Sequence, residues 1–239
     1  MRLLVIPAYN AGELLFKEIA GKTVLDRLMF QAKAWMFPEI VIAVPEQYAD
    51  MVRETVGEDA FIVSSEAENI SESVFDALEP FKTLPDQTEV TVMSPWTLFE
   101  PMLPPAAFGV QRKGPTVVGS AVSAYTRNRS YQLTFDAITG QALEKFEEAD
   151  DEPVPGIVSV GVFCHTLQAW RVATRAPGEI EGHDFLKRMN PIEGFPITPV
   201  QIPNGMYVNL ASQVNVSVFD NRFAEADEKP IKQEAVTEE

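Results

Sequence analysis

Leu3-Leu4-Val5-Ile6-Pro7, followed at once by Ala8-Tyr9-Asn10-Ala11-Gly12, is the stretch on which the fold turns. A short apolar run closed by a proline reads as a buried strand, and the five residues after it have the composition of a turn. Further on, Val24, Leu25, Leu28, Met29 and Ala32 recur at helical spacing, with Asp26, Arg27 and Gln31 between them. That periodicity predicts a helix lying back on the strand. The unit is strand, loop, helix.

The same unit repeats. Ile40-Val41-Ile42-Ala43-Val44 is a near-continuous β-branched run ended by Pro45, the pattern of a parallel strand covered on both faces. Tyr48, Met51, Val52 and Val56 mark the next helix, Phe61-Ile62-Val63 a third strand, Ser73 to Leu78 part of a third helix, and Glu89-Val90-Thr91-Val92-Met93 a fourth strand. Alternating strands and helices with short connections imply a mainly parallel sheet with right-handed crossovers. Its ligand crevice is expected at the carboxyl ends of the strands. From Gly114 onward the pieces are richer in β-type residues: Thr116 to Val122, Tyr131 to Phe135 and Gly156 to Cys164. There the sheet is expected to become mixed. Asp136 to Gly140 reads as a turn between two strands, Glu147 to Glu152 as an acidic loop, and Leu167 to Ala176 as a helix. The stretch 177–205, rich in Pro and Gly, reads as an excursion before a closing element at Val214 to Phe219. The expectation is an α/β chain: one Rossmann-like three-layer domain over 1–222 with a mainly parallel, mixed sheet, then an acidic and flexible tail over 223–239.

Composition bounds the function. With 35 acidic against 19 basic side chains, the formal charge is −16, which disfavours the long basic footprint that nucleic acid or an anionic membrane needs. A local pocket for a small anion stays compatible with it. Cys164 is the one cysteine, so neither an intrachain disulfide nor a thiolate cluster can form, which suits a reducing compartment. The opening apolar run is too short for a signal-peptide core, and no apolar stretch reaches spanning length. A cytoplasmic location is the expectation. A homo-oligomer is compatible with all of this.

Several segments, taken in order, resemble the nucleotidyltransferases that join a nucleotide to a sugar phosphate or related alcohol phosphate. Val5-Ile6-Pro7-Ala8 with Ile19-Ala20-Gly21-Lys22 resembles the first strand and signature loop of the sugar-acid cytidylyltransferases. Glu66-Ala67-Glu68-Asn69 through Ser71, Ser73-Val74 and Ala77-Leu78 is similar to the base-binding loop and helix of the methylerythritol phosphate cytidylyltransferases. Tyr131 to Asp136 with Gly140 and Glu144-Lys145 resembles the strand, turn and Glu-Lys pair of the sugar-1-phosphate enzymes, and Gly156 to Phe163 the strand that follows. Val214-Asn215-Val216-Ser217 with Asp220 is similar to the closing segment that supplies a metal ligand. The resemblance implies a nucleotide-diphospho-sugar transferase-like fold, a nucleoside triphosphate and a sugar phosphate as small-molecule partners, and Mg²⁺ as cofactor.

It also implies roles, residue by residue. Ala8, Asn10, Gly12 and Ser73 would meet the nucleotide, Lys17 and Lys145 would act on phosphate, Glu144 and Asn215 would bind the acceptor, and Asp220 would ligate the metal. The chain departs from the pattern at three points. Glu13 stands about where an arginine is expected, and a carboxylate beside a triphosphate is repulsive by about 1 kcal/mol or more at about 4 Å. Lys17 precedes Gly21 by fewer residues than the family spacing. Met93-Ser94-Pro95-Trp96-Thr97 follows the fourth strand where an aspartate would hold Mg²⁺.

Each role has a plainer alternative: a solvated lysine for Lys17 and Lys22, an exposed ion pair for Glu144 and Lys145, turn or cap residues for Asn10, Ser73 and Asp220. His165 and His183 form no metal spacing with Cys164. His165 and Cys164 both read as structural, the cysteine as a small buried hydrophobe. Three functions follow: a divergent nucleotidyltransferase, a catalytically inactive binding or assembly protein of that fold, or a glycosyltransferase. The last rests on residues 5–12, which also resemble the opening of inverting glycosyltransferases, although this chain lacks their Asp-x-Asp.

Overall fold

The computed structural model describes residues 2–99, 116–122, 131–135, 142–146, 156–174, 198–202 and 207–210. The two apolar runs form its middle: β1 (Arg2–Pro7) lies parallel to β4 (Glu39–Val44), Leu4 beside Ile40 and Val5 beside Val41. Leu3 to Ile6 and Val41 to Val44 are fully buried, as expected when both faces of a strand are covered. Each such side chain contributes roughly 1.5–3 kcal/mol by leaving water.

Between these strands run α1 (Gly12–Leu15), the two-residue strands β2 (Glu18–Ile19) and β3 (Lys22–Thr23), and α2 (Val24–Ala34). A capping box starts α2: Thr23 Oγ1 accepts from the Asp26 amide, and the Asp26 carboxylate accepts from the Thr23 amide. After β4 come α3 (Glu46–Val56), β5 (Phe61–Ser64), α4 (Ile70–Leu78), capped by Asn69, and β6 (Glu89–Met93). Later elements are β7 (Thr97–Phe99), β8 (Thr116–Val122), β9 (Tyr131–Phe135), β10 (Ala142–Phe146), β11 (Gly156–Thr166), α5 (Leu167–Thr174), β12 (Thr198–Ile202) and β13 (Tyr207–Asn209).

The main sheet runs β10-β9-β11-β6-β1-β4-β5, with β8 joined to β11 and β12 to β8. From β6 to β5 it is parallel, and β11 enters antiparallel to β6. Side chains alternate between two cores. Leu4, Ile6, Ile42 and Val44 face α2 and α3 (Leu25, Leu28, Val52), whereas Leu3, Val5, Val41 and Val92 face α4 and α5 (Val74, Ala77, Leu167, Trp170). The three layers of an α/β domain follow.

The expected strands and helices through Met93 are present, each within a few residues of its sequence position. The helix expected over Leu167 to Ala176 is described through Thr174. Part of the 177–205 excursion is a strand: β12 pairs in parallel with β8, Thr198 beside Thr116. Pro199 hid it, since proline sits in a strand where its missing amide is not needed, as at an edge. The turn at 136–140, the acidic loop at 147–152, the closing element at 214–219 and the tail lie outside the described residues. Among the described residues no helix is long and apolar enough to cross a membrane.

Candidate functional site

From β1 the chain steps to β4 and β5 on one side, then returns to β6 on the other. Neighbouring strands β1 and β6 therefore send their carboxyl-terminal loops in opposite directions, which leaves a crevice between the loops. Residues 8–12 follow β1 and residues 94–96 follow β6, so these two loops flank the switch point.

A hydrogen bond crosses it. Trp96 Nε1 donates to Asn10 Oδ1 at 3.1 Å. Trp96 is itself held at both backbone groups: its amide donates to Ser94 Oγ at 3.3 Å, and its carbonyl accepts from the Leu210 amide at 2.7 Å. Ser94 in turn is fastened to β11, its amide donating to the Gly161 carbonyl at 2.7 Å. Gly161 has φ +76°, and a Cβ there would fall 2.6 Å from Ser94 Cβ. The register of β11 against β8 shifts across this same point, so a glycine bulge lets β11 press against the end of β6.

The sequence candidates fall as follows. Ala8 is buried, its amide donating to the Ala43 carbonyl at 2.7 Å and its carbonyl accepting from Ala11. Asn10 is exposed at the mouth. Gly12 is buried at the start of α1, where a Cβ would fall 2.1 Å from the Tyr48 ring. Close packing of that ring is the reason the structure gives for a glycine here. Glu13 and Lys17 are exposed.

Ser73 is fully buried on α4, and its hydroxyl has no partner among the described residues. Glu144 and Lys145 lie on β10, with Lys145 beside Gln132 of β9, and Gln132 beside Val158 of β11. Val162 already pairs with Met93 at the carboxyl end of β6. Val158 therefore stands about four residues, or about 13 Å along an extended strand, past that end. The backbone of Lys145 is thus on the crevice side of the sheet. Asn215 and Asp220 lie outside the described residues.

The end of β6 does not fit a magnesium ion. Ser94-Pro95-Trp96 offers one hydroxyl, already accepting from Trp96, a buried proline and an indole that only donates, whereas Mg²⁺ takes carboxylate, phosphate and water oxygens. Among the described residues no group of three His, Cys, Asp or Glu side chains converges.

Sequence reasoning did not foresee the part played by Trp96, which it read as standing where a metal ligand is either lost or rebuilt. The available signal was chemical: an indole N–H in a loop beside a switch point needs an acceptor. Arg27 was passed over as one polar residue of a helix. It is buried, and Nε and a terminal nitrogen both donate to the Ile19 carbonyl, at 3.0 and 2.6 Å, with a further bond to Ala20. It holds the loop over residues 18–23, where Ala20 and Gly21 take φ of 48° and 73°.

His165 and Cys164 are buried, as the sequence suggested. The Thr166 amide donates to His165 Nδ1 at 2.7 Å, and burial lowers the imidazole pKa to about 4. Burial also raises the Tyr9 phenol in the first loop.

Protein-family models and curated proteins give no match to this chain. Solved structures do. The inositol-1-phosphate CTP transferase from T. maritima superposes with TM-score 0.70 at 13% identity, covering 96% of this chain and 97% of its own. A CMP:2-keto-3-deoxy-manno-octonic acid synthetase complexed with CTP gives 0.65 at 15% identity, covering 95% and 99%. A Bacillus anthracis protein described as a glucose-1-phosphate thymidylyltransferase gives 0.71 at 15%, covering 94% and 95%. The chain has the nucleotide-diphospho-sugar transferase-like fold, as a single α/β unit with a mixed sheet. Each of these three neighbours spans the same unit almost end to end.

Proposed function

We propose that this chain is a nucleotidyltransferase of the sugar-phosphate type, transferring a nucleotidyl group from a nucleoside triphosphate to a phosphorylated acceptor. One observation carries the reading: the crevice between the carboxyl-terminal loops of β1 and β6 lies at the switch point of a fold whose solved neighbours include transferases of cytidylyl and thymidylyl groups. In such a reaction an acceptor phosphate oxygen attacks the α-phosphorus and pyrophosphate leaves. The protein's tasks are alignment and charge neutralisation.

On this reading Asn10 contacts the nucleotide, and Ala8, Gly12 and Ser73, all buried, shape the first loop and the start of α4 behind it. Lys17 serves its phosphates, and Glu144 with Lys145 and Asn215 holds the acceptor. The register that lifts Lys145 above the carboxyl end of β6 supports the acceptor assignment. Mg²⁺ would be held through Asp220 and phosphate oxygens, since the end of β6 offers no carboxylate. The test is pyrophosphate release from each of the four common triphosphates with Mg²⁺ and a panel of sugar phosphates. No release from folded protein with any pair sinks the proposal.

A second reading, a catalytically inactive binding protein of the same fold, is favoured by Pro95 and Trp96 standing at that end. Large Mg²⁺-dependent thermal stabilisation by a triphosphate would count against it.

A further inference from the structure

Trp96 is held at its backbone and at its ring. Its backbone is tied to Ser94 and to Leu210, its indole nitrogen to Asn10, and its ring packs on the core formed with α2 and α3, yet it stays half-buried. The bond to Asn10 also orients the carboxamide. An indole N–H can only donate, so the Asn10 oxygen must face it and the amide NH₂ must face away. Asn10 is exposed, and that NH₂ has no hydrogen-bond partner among the described residues. The mouth of the crevice thus presents an aromatic ring of fixed position beside a donor of fixed direction. Neither residue of this pair carries a carboxylate.

We propose that Trp96 and Asn10 form a nucleobase clasp: the base stacks on the indole, and the Asn10 NH₂ donates to a carbonyl or ring nitrogen on the base edge. The clasp occupies the position that resemblance assigned to a metal ligand, so base recognition here needs no divalent ion. It rests on the nucleotide-binding part of the reading above and is independent of turnover. Flat π-faces favour stacking whatever the base, and a donor-only partner adds selectivity for an edge with an acceptor.

The protein carries its own reporter. Trp35 and Trp170 are 2% and 0% exposed, so the tryptophan fluorescence that a soluble quencher or a stacked base can reach comes from Trp96. CMP, UMP, AMP and GMP are titrated in EDTA, with binding measured in parallel by equilibrium dialysis. The expected result is binding with quenching, protection of Trp96 from acrylamide, and a dissociation constant unchanged when Mg²⁺ replaces EDTA. In W96F the quenching disappears while affinity stays within about threefold, and in W96A affinity falls roughly tenfold or more, the loss of one base stack. N10D keeps an acceptor for the indole but removes the NH₂, so with uncharged nucleosides, where the added carboxylate meets no phosphate, it should weaken binding about as much as N10A does. A purely structural role for Asn10 predicts instead that N10D behaves like wild type.

Dialysis showing a bound mononucleotide with Trp96 emission unmoved, or binding only with Mg²⁺, overturns the clasp and leaves the nucleotidyltransferase reading standing. Absence of binding by all four mononucleotides and their triphosphates, with circular dichroism showing folded protein, overturns both.

Discussion

Replacing Gly12 with alanine separates two reasons for a glycine in the first loop. An ideal Cβ there falls 2.1 Å from Tyr48 Cδ2, 2.4 Å from Cε2 and 2.8 Å from Cγ. No carbon tolerates such distances, so G12A must push the ring or the helix aside. Overpacking of this kind costs about 1–3 kcal/mol. The lower end applies if Tyr48, which is only half-buried, swings outward and gives up its contact with Phe16, now 6.4 Å between ring centroids. In a Y48A background the new methyl has room. There the same change should be neutral or stabilising by roughly 0.5–1 kcal/mol, since alanine is the better residue in a helix. The coupling between the two positions is therefore expected at about 1–4 kcal/mol, read from urea unfolding of the four proteins. An equal loss in both backgrounds refutes the packing argument. So does unchanged stability of G12A with a collapse in nucleotide affinity, which would restore close phosphate approach as the reason for the glycine.

Other predictions follow from the same geometry. His165 has a folded pKa lowered to about 4 from 6.5, so the unfolded chain binds the extra proton first as pH falls. Its contribution is whole above about pH 6.5 and is lost as pH drops toward 4, up to about 3 kcal/mol at 1.36 kcal/mol per unit. Stability measured from pH 7 to 4 should fall less steeply in H165Q, while Glu89, whose carboxyl is raised by burial, works in the opposite sense in both proteins. G161A meets both left-handed backbone and the Ser94 contact, whereas Gly21, at φ +73°, has nothing within 4 Å of an added Cβ. G21A should cost about 1–2 kcal/mol in chemical denaturation and G161A about 1–3 kcal/mol more; equal losses would remove the bulge contact from the account. Removing Arg27's donors in R27M strands the Ile19 carbonyl and should cost about 2–4 kcal/mol in urea unfolding, with R27K restoring little because an ammonium cannot reproduce the fork. Full rescue by lysine would show that charge alone matters.

Much of the architecture was legible in local pattern. Leu3 to Ile6 and Ile40 to Val44 are apolar on both faces, and only a strand covered on both sides satisfies that. The spacing of Val24, Leu25, Leu28, Met29 and Ala32 announced a helix, and α2 runs over all five. The short pieces were not legible. Three residues at β7 and three at β13 carry too little periodicity to distinguish a strand from a loop, and they become strands by pairing with each other, Leu98 beside Val208. Arg27 looks in sequence like any polar residue on a helix. Only the fold of residues 18–23 puts backbone carbonyls where its guanidinium can satisfy them.

By itself the sequence determined which of the longer segments through Met93 are strands and helices and that they alternate, because burial periodicity and turn chemistry act over a few neighbouring residues. Tertiary structure alone decided that β6 returns to the side of β1 opposite β4, and so that Asn10 and Trp96, 86 positions apart, share one hydrogen bond. The physical reason is that such a bond requires a donor and an acceptor about 3 Å apart and aligned, a condition on the whole chain path that no local pattern encodes.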